Sequence, residues 1–179
     1  MNKQKKIIVF SGKQFSGKDT VAKILLKKFS NLKRMGIADA IKMRYSQKTG
    51  LSVAEIEKNK SVYRADLIEL GNWGRSQNQD YWLYSILDSV CDVVVTDIRM
   101  KHELEVFKRE GAITVRVEAD EEVRGQRGKL SSKDDDTETQ LDNIQDWDFV
   151  IKNNGSYEEL EQNTSVLINE LERVFKLDR

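Results

Sequence analysis

The chain alternates short, dense apolar runs with longer stretches whose apolar residues recur every three or four positions. Ile7 to Phe10, Val93 to Thr96 and Ile113 to Val117 are of the first kind, and Phe149-Val150-Ile151 is a shorter one bounded by Asn153-Asn154-Gly155. Runs of this length, rich in β-branched residues, predict strands buried on both faces. A further short strand is expected near Leu32 to Ile37. The second kind begins with Lys18 to Phe29, where Val21, Ile24, Leu25 and Phe29 share one face and Lys23, Lys27 and Lys28 lie mostly outside it. Ala38 to Gln47 has a helical pattern stopped by Thr49-Gly50. Ser52-x-x-Glu55 reads as a capping box opening the segment to Lys58. Two helices are expected over Ser61 to Trp73 and Asp80 to Val90, joined by the polar loop Gly74 to Gln79. His102 to Glu110 is a helix closed by Gly111. Ser156 caps a long one with Leu160, Leu167, Leu171 and Val174 on one face. Strands alternating with helices predict an α/β fold, a parallel sheet covered by helices on both faces. Ligands of such sheets bind beyond the carboxyl ends of the strands, so the loops after Phe10 and after Thr96 open into one crevice.

The first of those loops carries the clearest chemistry. After the strand comes Gly12-x-x-x-x-Gly17-Lys18, then a helix. Glycines at this spacing let the backbone curl so that several N–H groups point into one cavity and cradle phosphate oxygens. The helix adds its unpaired N–H groups and its positive end, and Lys18 reaches the outer phosphates. Position 19 is Asp where Ser or Thr usually serves magnesium, and Thr20 follows. An Asp there is able to hold Mg²⁺ directly or through water.

Composition narrows the field. A chain of 179 residues is expected to be one domain, with or without a small mobile subdomain; it has 34% charged residues and a formal net charge of zero. That balance argues against a general binder of nucleic-acid polymers. A single cysteine, Cys91, permits no internal disulfide and reads as a small buried residue at a strand start. No apolar run approaches the roughly 18 residues that span a membrane. The basic N-terminus is followed by too short an apolar run for a signal peptide, so a cytoplasmic protein without membrane contact is expected. Proline is absent, which leaves turns to Gly, Asn, Asp and Ser.

Asp97 ends the Val93 run, where an acidic residue commonly orders magnesium beside a phosphate loop; the other reading is a helix cap. Arg99, on the same turn, pairs with Asp97 or meets a phosphate bidentately. Phosphoryl transfer needs positive charge around the migrating group, and Lys42, Arg64, Arg75, Arg124 and Arg127 are candidates beside Lys18. Arg75 stands out in a polar loop flanked by Trp73, Tyr81 and Trp82. Arg124 and Arg127, at i and i+3, lie in the charged, aperiodic stretch 120–140, which suits a mobile lid that excludes water. His102 reads as a solvated residue, and no Cys/His cluster suggests zinc.

With these residues in place, the chain resembles the phosphate-loop kinases of small phosphorylated metabolites. It is most similar to the deoxynucleoside monophosphate kinases of phages and bacteria, and it also resembles the animal-type phosphomevalonate kinases. The resemblance is carried by Ser11-Gly12 through Ser16-Gly17-Lys18-Asp19-Thr20, Ala38-Asp39-Ala40-Ile41-Lys42, Tyr63-Arg64 with Leu70-Gly71, and Arg75 before Asp80-Tyr81-Trp82. It continues through Val95-Thr96-Asp97-Ile98-Arg99 with Glu103, Gly111-Ala112, and Leu141-Asp142-Asn143 to Asn153 and Gly155. The Gly-Lys-Asp variant is itself a feature of both groups. The resemblance implies a three-layer P-loop NTPase fold of nucleoside monophosphate kinase type, with a helical acceptor-binding region at about 38–90 and a lid at about 120–140 in one domain, 1–179. It implies transfer of the ATP γ-phosphate to a small phosphomonoester, by a monomer or homodimer. Gly12, Lys13, Ser16, Gly17, Lys18, Asp19 and Thr20 would hold ATP, with Asp19 or Asp97 organising Mg²⁺. Asp39, Lys42, Arg64, Arg75 and Arg99 would meet the acceptor, Trp82 would lie on a base or in the core, and Arg124 and Arg127 would close the lid. Arg124-Gly125-Gln126-Arg127-Gly128 and Leu141-Asp142-Asn143 favour the phosphomevalonate group. Gln14, Phe15 and Met100 stand where that group has basic residues, and Gln14 departs from the nucleotide group as well. Leu70-Gly71, Arg75 and Tyr81-Trp82 lean to the nucleotide kinases. The leading expectation is therefore a deoxynucleotide kinase, with phosphomevalonate kinase second and a non-catalytic nucleotide-binding protein third.

Overall fold

A computed structural model describes residues 5–130 and 136–177. Lys133, Asp134 and Asp135, part of the expected lid, lie outside the described residues. The chain divides into two compact units, Met1–Arg34 with Cys91–Arg179, and Met35–Val90.

The first unit is organised by a five-stranded parallel sheet. Its strands β1 (Ile7–Ser11), β2 (Lys33–Met35), β3 (Val93–Val95), β4 (Ile113–Glu118) and β5 (Phe149–Lys152) lie in the order β2-β3-β1-β4-β5. β1 is central and parallel to both neighbours, with Val9 opposite Val95 on one side and Thr114 on the other. β5 continues the sheet with Ile151 opposite Val117. Helices α1 (Lys18–Lys28) and α9 (Tyr157–Leu177) cover one face. Val21, Leu25, Leu160, Leu167 and Leu171 form one core with Ile8, Phe10, Val94, Val115 and Val117. The neighbouring strand residues Ile7, Val9, Val93 and Val95 point the other way and are equally buried. α6 (Lys101–Arg109) buries Leu104, Val106 and Phe107. Each such side chain contributes roughly 1.5–3 kcal/mol by leaving water, so this two-sided burial outweighs the weak propensity of any one helix. Gly111 (φ 72) closes α6, and a reciprocal pair of hydrogen bonds between Ser156 and Glu159 opens α9. Two short helices, α7 (Glu121–Arg127) and α8 (Asp136–Thr139), occupy the charged stretch expected to be aperiodic. Cys91 precedes the strand rather than opening it and is half-buried.

The second unit is helical, with α2 (Ile37–Thr49), α3 (Val53–Lys58), α4 (Lys60–Gln77) and α5 (Tyr84–Leu87). Gly50 ends α2 at φ 78, and the Ser52–Glu55 capping box opens α3 as its spacing predicts. The stretch from Gly74 corrects the sequence expectation. It is not a loop as far as Gln77, because α4 runs through it, and the helix expected over Asp80 to Val90 shortens to α5. The reason is packing. A Cβ at Gly74 would lie 2.4 Å from the Trp82 ring, and Trp82 Nε1 donates to the Gly71 carbonyl at 2.9 Å. Glycine costs a helix about 1 kcal/mol relative to alanine, which the buried indole more than offsets. Consequently Gly71 and Gly74 are the buried positions of α4, while Val62, Ile68 and Trp73 are exposed. Among the described residues no helix is long and apolar enough to cross a membrane.

Candidate functional site

β1 ends at Ser11 and α1 begins at Lys18, so residues 12–17 turn the chain between the carboxyl end of a central strand and a helix N-terminus. Two glycines make that turn possible. Gly12 has φ 149 and a Cβ there would strike the Val117 carbonyl at 2.2 Å; Gly17 has φ 101 and a Cβ would meet Asn153 Nδ2 at 2.2 Å. Phe15 also takes a positive φ, 59. Such a succession directs backbone N–H groups inward as an anion-binding nest. Lys18 folds back over the loop and donates to the carbonyls of Gly12 (2.5 Å) and Lys13 (3.0 Å). Burial and the nearby Arg99 push its pKa down to about 8; Arg116 adds to this, and Glu138 and Asp19 oppose it. Ser16 Oγ is buried with no hydrogen-bond partner among the described residues. Inward amides, a cation seated across them and an unsatisfied hydroxyl match the donors that a polyphosphate requires.

Asp97 and Arg99 follow β3, the strand paired with β1, and both are half-buried. Glu103, at the start of α6, accepts from the N–H groups of Arg99 (3.0 Å) and Met100 (3.1 Å), which fixes this turn. Arg99 forms an ion pair with Glu138 of α8, whose other oxygen accepts from the Gln14 N–H at 3.0 Å. Arg124 is buried and donates from Nε to Ala119 O (3.1 Å) and from Nη1 to Gln14 O (3.3 Å). Arg127 Nη2 donates to Asn153 O (2.9 Å) and Nη1 to Phe15 O (3.4 Å). Both arginines of α7 therefore hold the outer carbonyls of the loop. Asp19 is exposed and Thr20 half-buried in the first turn of α1. Among the described residues no three His, Cys, Asp or Glu side chains gather to hold a metal. Magnesium carried by nucleotide phosphates needs only one or two carboxylates, and Asp19 and Asp97 flank the loop.

Four residues that the sequence reading gave no role complete this arrangement. Arg116 of β4 is buried beside Ser11, donates to its Oγ and to Asp142 (both 3.0 Å), and stands 5.8 Å from the centre of the Trp147 ring. Asp142 also pairs with Lys13 at 2.6 Å. A charge inside Thr114-Val115-Arg116-Val117 was the available signal, since a buried charge must be paired. Asn153 Nδ2 donates to Ser16 O at 2.8 Å. Glu138 gave no signal, lying in a charged stretch with no period. A cavity of about 260 Å3 adjoins the loop, lined by Lys13, Ser16, Arg116, Val117, Asp120 and Arg124 among others.

Apart from Arg99, the expected acceptor residues lie in the second unit. Lys42 pairs with Glu57 (2.6 Å) and Asp39 (3.5 Å) and is 12% exposed. Arg75 is half-buried on α4 rather than in a loop, and Arg64 is exposed on the same helix. Trp82 is 4% exposed and hydrogen-bonded to α4, so its position is that of a core residue. A cleft of about 620 Å3 lies along α2 and α4, lined by Tyr45, Lys48, Asp66, Glu69, Leu70 and Trp73 together with Arg44, Gln47 and Thr49. None of Asp39, Lys42, Arg64, Arg75 and Trp82 lines it. Tyr45 donates to Asp66 at 2.6 Å, and that bond pushes its phenol up to about 12.

Two family models match the chain, Phosphomevalonate kinase over residues 10–112 and Deoxynucleotide monophosphate kinase over residues 65–164. Similar solved structures include TT1252 from Thermus thermophilus, 19% identical over 94% of this chain and 99% of that one, with a TM-score of 0.57. Dephospho-CoA kinase from Campylobacter jejuni is 16% identical over 93% and 97%, TM-score 0.57. Shikimate kinase from Aquifex aeolicus is 18% identical over 94% and 98%, TM-score 0.54. At these identities the structural likeness shows the fold; the family models, each spanning more than half of the chain, carry the assignment. The phosphate-loop geometry and both models agree that the chain is an ATP-dependent kinase of small molecules, belonging to the phosphate-loop kinases that the phosphomevalonate kinase and deoxynucleotide monophosphate kinase families describe.

Proposed function

We propose that the protein transfers the terminal phosphate of ATP to the phosphate of a deoxynucleoside monophosphate. The observation that supports this acceptor is the cleft along α2 and α4. There the Trp73 indole is 42% exposed beside Gln47, Asp66 and Glu69, with Arg44 and Lys48 on the same lining. A part-exposed indole among hydrogen-bonding side chains suits a flat heteroaromatic base. An aliphatic acceptor bearing both carboxylate and phosphate would meet Asp66 and Glu69 unfavourably.

In this reading residues 38–90 bind the acceptor and α7 borders the phosphates within one kinase domain. The loop amides, Ser16 and Lys18 hold the β- and γ-phosphates, and the cavity lined by Arg116 and Arg124 receives the nucleoside of ATP. A magnesium ion bound with ATP would neutralise phosphate oxygens, held from this chain by Asp19 or Asp97. From the acceptor unit, Lys42, Arg64 and Arg75 supply positive charge for the attacking phosphate, with Asp39 holding Lys42, and Arg99 meets the γ-phosphate beside the loop. That nucleophile is already anionic, so no general base is required and catalysis is positioning plus charge stabilisation. Arg124 and Arg127 keep the loop in its phosphate-binding curl. ATP supply and a phosphorylated metabolite suit the cytoplasm, for a monomer or homodimer.

A second reading, phosphomevalonate as acceptor, is favoured by one finding: the phosphomevalonate kinase model spans the whole of Met35–Val90, the proposed acceptor unit. The test is ADP release from Mg-ATP with deoxynucleoside and ribonucleoside monophosphates, phosphomevalonate and dephospho-CoA. Turnover with a deoxynucleoside monophosphate supports the first reading. Turnover with phosphomevalonate alone replaces it with the second.

A further inference from the structure

Glu138 has no role in the mechanism above, yet its carboxylate sits among the groups that should bind phosphate. It is 8% exposed. One oxygen pairs with Arg99 and the other accepts from the Gln14 amide of the loop at 3.0 Å. Its charge also acts on Lys18, partly opposing the effects of burial and of Arg99. An anion held by a loop amide and a guanidinium, in the field of the loop lysine, has the contacts a phosphate oxygen would have.

We infer that Glu138 is a built-in stand-in for the terminal phosphate of ATP. In the nucleotide-free enzyme it keeps Arg99 and the Gln14 amide in place, and the γ-phosphate takes its seat. This rests on the loop Gly12–Lys18 being the ATP phosphate site. Two anions do not share one set of donors, so nucleotide with a γ-phosphate displaces the carboxylate. The local structure suits such an exchange. Glu138 rides on α8, only four residues long, while Leu141 is buried and Asp142 is tied to Lys13 and Arg116. Release therefore needs rotation of one short turn, with the chain anchored just beyond it. The occupied seat lowers the apparent affinity for ATP by the fraction of molecules in which it is empty. ADP does not reach that seat and is not penalised.

The test is calorimetric titration of the full chain with Mg-ATP, metal-free ATP and Mg-ADP, using wild type, Glu138→Gln and Lys18→Ala. Glu138→Gln is expected to bind both forms of ATP about tenfold more tightly while Mg-ADP changes less than about twofold. Equal tightening of ATP and ADP, or unchanged ATP affinity, overturns the inference. Weaker Mg-ATP binding with unchanged metal-free ATP binding makes Glu138 a cation ligand and also overturns it. Wild-type binding that Lys18→Ala does not weaken removes the loop assignment, and the inference with it; loss in Lys18→Ala with no gain in Glu138→Gln removes the inference alone. Hydrogen exchange of the wild type provides a second readout that needs no variant. Residues 136–140 should exchange faster with a non-hydrolysable Mg-ATP analogue than without it, and slower exchange overturns the displacement.

Discussion

Asn153 is the side chain whose removal should most directly couple stability to nucleotide binding. It follows β5, is 6% exposed, and donates from Nδ2 to the Ser16 carbonyl at 2.8 Å. Its backbone N–H bonds Glu118 O at 2.8 Å, and Arg127 Nη2 reaches both its carbonyl (2.9 Å) and its Oδ1 (3.3 Å). Asn153→Ala keeps the two backbone contacts. It leaves the Ser16 carbonyl buried without its amide donor, a cost of roughly 1–3 kcal/mol. The lost Oδ1 contact adds little, because Arg127 is exposed and keeps the carbonyl. A total near 2 kcal/mol corresponds, for a chain of this size, to a fall in Tm of about 4–8 °C. The same carbonyl belongs to the peptide that carries the Gly17 N–H, held at φ 101 by this contact. Releasing it lets that amide turn from the cavity, so Mg-ATP affinity should fall about tenfold. Asn153→Asp is isosteric, but it places an oxygen against the Ser16 carbonyl and a negative charge beside the phosphates. It should bind ATP more weakly than the Ala variant does. Thermal unfolding followed by fluorescence, together with ATP titration, measures both quantities. An Asn153→Ala protein with Tm within about 1 °C of wild type and unchanged ATP affinity would refute the reasoning.

Other outcomes follow from the same geometry. Gly74→Ala drives a methyl into the Trp82 ring at 2.4 Å, so despite alanine's helix preference it should destabilise by about 1–3 kcal/mol in urea unfolding; a stabilised variant would show that Trp82 repacks freely. Lys18 is held near 8 against an ordinary 10.5, so between those pH values the folded chain carries fewer protons than the unfolded one. Its contribution to stability should therefore rise with pH across that window, in nucleotide-free EDTA buffer, and the rise should vanish in Lys18→Met; parallel pH profiles would contradict the shift. Arg75→Ala should raise the KM for the acceptor severalfold while the KM for ATP stays within about twofold, and equal losses in both would remove Arg75 from the acceptor side.

Much of the fold was legible because its signals are local. Ile7 to Phe10 and Val93 to Val95 read as buried strands from β-branched runs alone, and both are. Ser52-x-x-Glu55 read as a capping box, and it is one, since both partners lie within a single turn. The loop Gly12 to Lys18 was legible for the same reason: strand, glycine turn and helix are contiguous, and the conformation follows from missing Cβ atoms. The Gly74 stretch misled because a glycine followed by polar residues looked like a loop from sequence. Gly74 is there for an indole eight residues further on, which no helical period reveals. Likewise Trp82 carried the composition of a stacking residue and the position of a core one.

The candidate site divides along the same line. Sequence alone determined that a phosphate loop exists, that Lys18 crowns it and that Asp97 and Arg99 follow the Val93 run. Only the tertiary structure decided what holds the loop from outside. Arg116, Glu138, Asp142 and Asn153 reach it from positions about 100 or more residues away along the chain. Such contacts leave no trace in spacing or period, because they depend on how parallel strands are ordered across the sheet rather than on any local preference. Backbone chemistry within one turn is written in consecutive residues; the pairing of buried charges is settled only when the sheet brings its strand ends side by side.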